Sequence, residues 1–178
     1  MRLRMMIAGG GTGGHLFPGI ALAEAARRRD PDTAILFVGS ARGIESRVVP
    51  TSGFELALLP GAPLRGRKMT GKVTALGALG AATVRARALV QRFAPDVVVG
   101  LGGYASAPAV VAGRLRRLPI VLLEQNAKPG MTTRFLARLA DRVCVSFPDT
   151  AIGFATGQAV VTGNPVRAFA APTAAGTT

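Results

Sequence analysis

Short apolar runs alternate along this chain with longer stretches of mixed apolar and polar residues, and this alternation predicts a strand–helix repeat. The runs are nearly continuous, as in Val97–Val99 and Ile120–Leu123, which is typical of strands buried on both faces. Strands are predicted at residues 3–8, 34–38, 54–59, 96–100, 119–123, 142–146 and 159–162. We therefore expect an α/β fold with a Rossmann-like, doubly wound parallel sheet.

Helices are predicted between these strands, at residues 18–29, 44–51, 73–93, 105–118 and 131–140. Pro18 suits the first turn of the first helix, because the N–H group that proline lacks has no partner there. Residues 60–71, rich in Pro, Gly and basic side chains, are predicted to form a loop. We expect one domain over residues 1–167 and a linker or disordered tail over residues 168–178.

The charge balance indicates an anionic partner. The chain has 22 Lys and Arg against 9 Asp and Glu, a formal net charge of +13, which suits nucleic acid, anionic lipid or a phosphate-bearing substrate. A bias of overall composition toward Arg and Ala is the alternative explanation. The lone cysteine, Cys144, fits a reducing compartment, and no apolar window reaches the length of a spanning helix. The expected location is therefore cytoplasmic.

A glycine-rich loop follows the first predicted strand. Gly9, Gly11 and Gly14 match G-x-G-x-x-G, a pattern that lets the backbone and the next helix N-terminus approach a phosphate. A dinucleotide site also needs an acid at the end of the second strand, where this chain has residues 39–42, Gly-Ser-Ala-Arg. This disfavours NAD and leaves NADP, held through Arg42, as an alternative. A tight turn for helix packing is the purely structural interpretation.

Polar residues follow other strands as well. The segment GLGGYASAP (100–108), with the only tyrosine, Tyr104, and the segment Glu124-Gln125-Asn126 each follow a predicted buried strand. Because ligands of open α/β sheets bind at the carboxyl ends of the strands, we expect both segments to share a crevice with His15, the only histidine. His15 is a candidate general base or phosphate ligand, or else a packing residue. Glu124 orients a substrate or caps the helix near Met131.

A basic stretch without acidic residues runs from Leu56 to Pro95, and it surrounds the uncharged apolar segment 73–84. An apolar patch ringed by basic residues suits an anionic membrane surface. The alternative is an ordinary core helix with a solvated basic end. Nucleic acid is disfavoured as a partner, because only Phe93 is available in this stretch to stack a base.

Four motifs together resemble a known family. GGGTGGHLFPG, GGYASAP, EQNAKPGMT and TGNPVR, in this order over residues 9–167, resemble the MurG family of UDP-N-acetylglucosamine–undecaprenyl-diphospho-muramoylpentapeptide N-acetylglucosaminyltransferases. The resemblance covers the first half of a typical member, and the donor-binding C-terminal domain of the family has no counterpart in the sequence. It implies the N-terminal domain of a two-domain GT-B glycosyltransferase on the cytoplasmic face of the plasma membrane.

The resemblance also implies a reaction. The C4 hydroxyl of the muramoyl sugar of lipid I would attack the anomeric carbon of UDP-GlcNAc, with inversion and with neither metal nor cofactor, to give lipid II for peptidoglycan synthesis. The non-catalytic alternative is a membrane-binding module that keeps the fold without the chemistry. The NADP-dependent enzyme remains a further alternative.

The resemblance assigns roles to individual residues. The catalytic candidates are His15 and Glu124. The expected donor contacts are Thr12, Gly13, Gly14, Asn126 and Arg167. The expected acceptor or pyrophosphate contacts are Gly11, Gly103, Tyr104 and Ser106. The expected membrane contacts are Arg65, Arg67, Lys68, Lys72, Leu76 and Leu79. The sequence departs from the family at Leu123, where His is usual, and at Thr133, where Asn is common, so a His–Glu pair at positions 123 and 124 is absent.

Overall fold

A computed structural model gives the fold of the chain and describes residues 2–41, 43–60, 69–103 and 105–166, with the backbone alone for residues 69–76. The described residues form a seven-stranded sheet in the order β3-β2-β1-β4-β5-β6-β7, in which every neighbouring pair is parallel. The strands are β1 (Arg4–Ala8), β2 (Ala34–Ser40), β3 (Glu55–Leu59), β4 (Val97–Gly100), β5 (Ile120–Glu124), β6 (Arg142–Val145) and β7 (Ala159–Val161). This confirms the predicted fold class. The strand order reverses between β1 and β4, which is where ligands bind in such sheets.

The helices connect consecutive strands, and all five predicted helices are present, although the third begins at Met69, within the segment 60–71 that was predicted to be a loop. They are α1 (Gly13–Arg29), α2 (Glu45–Thr51), α3 (Met69–Phe93), α4 (Ser106–Leu115) and α5 (Met131–Leu136), the last continued by a 3₁₀ turn at Ala137–Leu139. A sixth helix, α6 (Pro148–Ala151), was not predicted, because four residues are too few to show a helical period. Among the described residues, no helix is both long enough and apolar enough to cross a membrane.

Helix α1 begins five residues earlier than predicted. Its first intrahelical bond runs from the Leu16 N–H to the Thr12 carbonyl oxygen (3.2 Å), so Pro18 lies in the second turn. The expectation that Pro18 opens the helix was wrong, because tertiary packing overrides the low helix propensity of Gly13 and Gly14. As a result, His15 lies within the first helical turn instead of in a loop.

Two apolar clusters cover the two faces of the sheet, because successive strand residues point to opposite sides. On one face, α3 and α4 pack on the strands, and the cluster includes Met6, Ala8, Leu36, Val38, Val98, Leu122, Ala86, Val90, Ala109 and Val110. On the other face lie α1 and α2, with Met5, Ile7, Ile35, Phe37, Val99, Leu123, Leu16, Ile20 and Val49. Burial on both faces explains why the strand sequences are continuously apolar.

A polar cluster lies at the amino-terminal edge of the sheet, where β1 meets β4. The Arg4 backbone N–H donates to Asp96 Oδ2 (2.8 Å), and the Arg4 Nε–H donates to the Phe93 carbonyl oxygen (2.8 Å). The Arg4 guanidinium also lies 4.6 Å from the centre of the Phe93 ring, a cation–π distance. These contacts join β1 to the end of α3 and the start of β4, so they set the relative position of the two strands that carry the glycine loops.

The buried face of the sheet predicts a large packing cost for truncation. Ile120 is fully buried, whereas Ile152 has 83% of its surface exposed. We expect Ile120→Ala to lower the free energy of unfolding by about 2–5 kcal/mol, because the side chain leaves a cavity in a close-packed core. Ile152→Ala removes the same atoms from the surface and should change stability by less than about 0.5 kcal/mol. Urea titrations of the three proteins measure the difference, and equal midpoints would contradict the buried position of β5.

Candidate functional site

The loops after β1 and β4 lie back to back at the carboxyl edge of the sheet. A Cβ built on Gly9 would lie 2.6 Å from the carbonyl oxygen of Gly102, and one built on Gly103 would lie 2.6 Å from that of Gly10. Gly9 and Gly103 also have positive φ angles, 146° and 76°. Only glycine allows both the conformation and the approach. The first glycine loop (residues 9–12) and the second glycine loop (residues 100–103) therefore share one crevice, as the sequence predicted.

A buried carboxylate lies beneath the first glycine loop. Glu45, at the start of α2, has only 1% of its surface exposed, and its side chain accepts hydrogen bonds from the Gly11 N–H, the Ser40 N–H and the Ser40 hydroxyl, each at 2.8 Å. Burial by itself raises the pKa of the Glu45 carboxyl. The hydrogen bonds from the Gly11 and Ser40 N–H groups, from the residue's own N–H and from the Ser40 hydroxyl outweigh burial, so the pKa is lower than its ordinary value.

Three glycines leave room for this carboxylate. A Cβ at Gly10, Gly39 or Gly43 would lie 2.6, 2.4 and 2.0 Å, respectively, from the nearest Glu45 side-chain atom. An acid thus does lie at the end of β2, although residues 39–42 themselves contain none. Its oxygens are occupied by the chain's own donors, so they are not available to a ribose. The Gly11 N–H, predicted to bind pyrophosphate, is likewise already bonded to Glu45.

His15 is held between all three loops of the crevice. Its Nδ1 lies 3.1 Å from Gln125 Oε1, in the third loop (residues 125–130). A Cβ built on Gly102 would lie 3.2 Å from His15 Cε1, so the second glycine loop packs directly on the imidazole ring. The His15 side chain is half-buried, and the residue lies in the first turn of α1. The structure thus brings His15 and the Glu124–Asn126 segment together, as expected.

The buried carboxylate of Glu124 stabilises the third loop through hydrogen bonds. Its side chain, 1% exposed, accepts hydrogen bonds at Oε1 from the Asn126 N–H (3.0 Å) and Nδ2 (2.8 Å). Oε2 accepts from the N–H of Gly130 (2.9 Å), the residue that precedes α5. Three donors from one loop hold the carboxylate away from solvent. Of the two interpretations that the sequence left open, the geometry favours the structural one, although the carboxylate holds the loop that leads into α5 and does not cap the N–H groups of the helix itself.

Thr150, on α6, also holds the third loop through hydrogen bonds. The Thr150 hydroxyl, buried, donates to the Ala127 carbonyl oxygen (2.9 Å) and lies 3.3 Å from that of Asn126. The Ser146 N–H donates to the Glu124 carbonyl oxygen (3.1 Å). Sequence reasoning missed Thr150 because it missed α6. It missed Glu45 although one signal was present, a single acid close to Gly39 and Gly43 after a strand.

The remaining predicted ligand contacts differ in their access to the crevice. Thr12, Gly14 and Asn126 are exposed, and Gly13 and Gly103 are half-buried. The Thr12 side chain makes no capping hydrogen bond, so the first N–H groups of α1 keep their donor capacity and the positive end of the helix dipole. Ser106 is different, because its side chain is fully buried and its hydroxyl lies against Gly100. Its expected direct contact with the acceptor is not supported by this placement.

Several predicted residues lie outside the described part of the chain. These are Arg42, Arg65, Arg67, Lys68, Tyr104 and Arg167, together with the side chains of Lys72 and Leu76. The Leu79 side chain is described and is half-buried.

A groove of about 740 Å³ lies apart from this crevice, between α5 and the segment after α6. Its walls include Met131, Arg134, Phe135 and Arg138, and it contains no residue of the three loops. We place the candidate site in the crevice, because a histidine, a free helix N-terminus and two glycine loops converge there.

The buried carboxylate of Glu45 predicts a pH dependence of stability. Because its folded-state pKa is below the ordinary value of about 4.5, the stabilisation is present above that pH and is lost as the pH falls through the lowered pKa. We expect Glu45→Gln to cost about 1–3 kcal/mol at neutral pH, since the amide leaves a loop N–H unsatisfied, and the cost should shrink in acid.

Urea titrations between neutral and acid pH measure this difference. Glu55→Gln, which alters an exposed carboxylate on β3, is the matched control and should change stability by less than about 0.5 kcal/mol. A Glu45→Gln cost that stays constant from neutral to acid pH would contradict an ionised Glu45 in the folded protein.

Comparison with known proteins gives consistent matches. Residues 5–145 match the glycosyltransferase family 28 N-terminal domain. The chain is 47% identical over 165 residues, 93% of its length, to the UDP-N-acetylglucosamine--N-acetylmuramyl-(pentapeptide) pyrophosphoryl-undecaprenol N-acetylglucosamine transferase of Pelobacter propionicus, of which it covers 44%. It is 49% identical over 164 residues, 92% of its length, to the protein of the same name from Magnetococcus marinus, of which it also covers 44%.

A solved structure agrees with these sequence matches. The crystal structure of Acinetobacter baumannii MurG superimposes with a TM-score of 0.76 at 29% identity, over 93% of this chain and 46% of that one. The chain thus spans less than half the length of the relatives it matches. These matches confirm the resemblance to the MurG family that the four motifs indicated. Together with the parallel sheet and the paired glycine loops, they show that the chain belongs to glycosyltransferase family 28, of which it carries the N-terminal domain.

Proposed function

We propose that this chain is the acceptor-binding half of an inverting glycosyltransferase that moves N-acetylglucosamine from UDP-GlcNAc to lipid I, giving lipid II for peptidoglycan synthesis. The observation that carries the proposal is the convergence of both glycine loops and the Gln125 side chain on His15, in a family 28 domain. Because the chain spans less than half of its relatives, turnover requires a second, donor-binding domain.

The chemistry requires a base beside the acceptor hydroxyl. As the C4 oxygen of the muramoyl sugar bonds to the anomeric carbon, the bond to the UDP diphosphate breaks and the hydroxyl proton must leave. We assign the base to His15, which is half-buried in the crevice. Glu124 is less suited to this role, because its carboxylate is buried and bonded to Asn126 and Gly130. We assign Glu124 to holding Asn126 in place.

The N-terminus of α1 suits the diphosphate. The exposed residues Thr12 and Gly14 and the half-buried Gly13 lie at the positive end of a 17-residue helix without an acid in its first turn. We assign the donor contacts to these residues, Asn126 and Arg167. The acceptor contacts are assigned to Gly103 and Tyr104 of the GGYASAP motif.

A membrane-facing surface completes the proposal. On the packed helices α3 and α4, the apolar side chains of Val84 (72% exposed) and Leu115 (62% exposed) reach solvent. Exposed arginines on the same two helices or just after α4 include Arg85, Arg87, Arg114, Arg116 and Arg117. Exposed apolar side chains and arginines on these two helices suit peripheral binding to anionic lipid, at the cytoplasmic face of the plasma membrane. We assign Arg65, Arg67, Lys68, Lys72 and Leu76 to the same membrane contact. The half-buried Leu79 contributes less.

The proposed reaction predicts activity that depends on a second domain. We expect little transfer of radiolabelled UDP-GlcNAc to a short-chain lipid I analogue by this chain alone, and transfer when the C-terminal half of a relative is added. His15→Gln, which keeps a polar side chain but has no base, should lower kcat by about 10²–10⁴-fold. Gln91→Ala, at an exposed position on α3, is the control and should leave transfer unchanged.

Two outcomes of this assay would contradict the proposal. Full activity of His15→Gln would remove His15 from the catalytic step. No transfer by any mixture, with intact liposome binding, would favour the non-catalytic membrane module.

The surface of α3 and α4 predicts salt-sensitive binding to vesicles. We expect the chain to sediment with anionic vesicles and less so as salt rises, because ions screen the arginines. Val84→Asp combined with Leu115→Asp should weaken binding by about tenfold or more, since both changes place charge at the interface. Ile152→Asp changes an exposed apolar residue just after α6 and should have little effect. Equal loss in both variants would contradict the assignment of this surface.

A further inference from the structure

One contact in the crevice favours one position for the proton of the neutral His15 ring. Nδ1 of His15 lies 3.1 Å from Oε1 of Gln125. The amide oxygen is placed toward Nδ1, and since an amide oxygen can only accept a hydrogen bond, this placement makes Nδ1 the donor of the neutral imidazole. The other ring nitrogen, Nε2, then carries a lone pair and becomes the basic atom.

The Gln125 side chain is well placed to enforce this choice. Gln125 directly follows Glu124. The buried Glu124 carboxylate accepts hydrogen bonds from the N–H groups of Asn126 and Gly130, near the two ends of the third loop. The Gln125 amide nitrogen is itself buried and has no hydrogen-bond partner among the described residues. The opposite orientation of the amide would let this nitrogen donate to Nδ1 and would favour the Nε2–H tautomer, so the tautomer itself is the decisive measurement.

The ring of His15 is constrained from a second direction. Gly102, with a φ of 88°, lies so close that a Cβ there would be 3.2 Å from Cε1 and 3.3 Å from Nδ1. The second glycine loop thus limits tilting of the ring, while Gln125 holds one edge of it. Two different loops, following β4 and β5, define the orientation of one side chain on α1.

We propose that Gln125 is a positioning residue that holds His15 as the Nδ1–H tautomer, so that Nε2 is the nitrogen that receives the proton of the acceptor hydroxyl. This inference rests on the proposed transferase function for its catalytic meaning. In the step itself, the acceptor oxygen forms the bond to the anomeric carbon, the diphosphate leaves with the bonding electron pair, and the proton moves to Nε2. The resulting imidazolium still donates from Nδ1 to Gln125.

The tautomer can be measured without turnover, because His15 is the only histidine of the chain. In ¹⁵N-histidine NMR spectra at alkaline pH, where the ring is neutral, we expect a protonated Nδ1 and an unprotonated Nε2. Gln125→Met keeps the size of the side chain but removes the acceptor, and it should shift the signals toward the Nε2–H form. Gln125→Glu restores an acceptor oxygen and should restore the Nδ1–H form.

Controls separate this role from a structural one. Gln91→Met makes the same exchange at an exposed position and should leave the spectrum unchanged. Circular dichroism and urea midpoints establish that each Gln125 variant is folded. An Nε2–H tautomer in the unmodified chain would overturn the proposal, and so would an Nδ1–H tautomer that persists in folded Gln125→Met.

A kinetic measurement then tests the catalytic consequence. With the C-terminal half of a relative supplied, Gln125→Met should lower kcat by about tenfold or more, with the KM for UDP-GlcNAc unchanged, and Gln125→Glu should recover much of the loss. An unchanged kcat in Gln125→Met would overturn the catalytic part of the inference. If the unmodified mixture transfers no sugar, the proposed function fails, whereas the tautomer result depends on the NMR spectra alone.

Discussion

The close approach of two glycine backbones is the constraint on which the rest of the site depends. At the point where the strand order reverses, a Cβ on Gly9 would lie 2.6 Å from the Gly102 carbonyl oxygen, and one on Gly103 would lie 2.6 Å from the Gly10 carbonyl oxygen. Any side chain at these positions would force the loops after β1 and β4 apart. With the loops together, the first turn of α1 faces the second glycine loop, and His15 comes within hydrogen-bond distance of Gln125 in the third loop.

Two buried carboxylates stabilise this arrangement. Glu45 and Glu124 are each 1% exposed, and each accepts hydrogen bonds from backbone N–H groups of loops that line the crevice. Burying a charge is costly unless hydrogen bonds compensate, so each carboxylate stabilises the one loop conformation that supplies its donors. In a chain with a formal net charge of +13, two of its nine acids serve as internal anchors. The polar groups that face the crevice include the side chains of His15 and Gln125 and the N–H groups at the N-terminus of α1.

Much of the fold was predictable because it depends on local pattern. Continuous apolar runs such as Ile120–Leu123 mark strands buried on both faces, and the observed strands begin and end within two residues of the predicted ones. The start of α1 was missed because Gly13 and Gly14 disfavour helix locally, and tertiary contacts decide otherwise. The four-residue α6 is too short for a helical pattern to be recognised, so the hydrogen bond from Thr150 to the third loop was missed as well.

The sequence by itself determined the fold class and the three loops, because glycine spacing and strand periodicity are local properties of the chain. The family came from the resemblance of four motifs. It also identified His15 and Glu124 as the residues to consider. Only the tertiary structure decided their parts: Glu124 turns inward to its own loop, Ser106 is buried against Gly100, and Glu45 reaches back from α2 to the first glycine loop. Gln125 meets His15 across 110 positions of sequence. Such pairings depend on the order in which strands lie side by side, which no local pattern encodes.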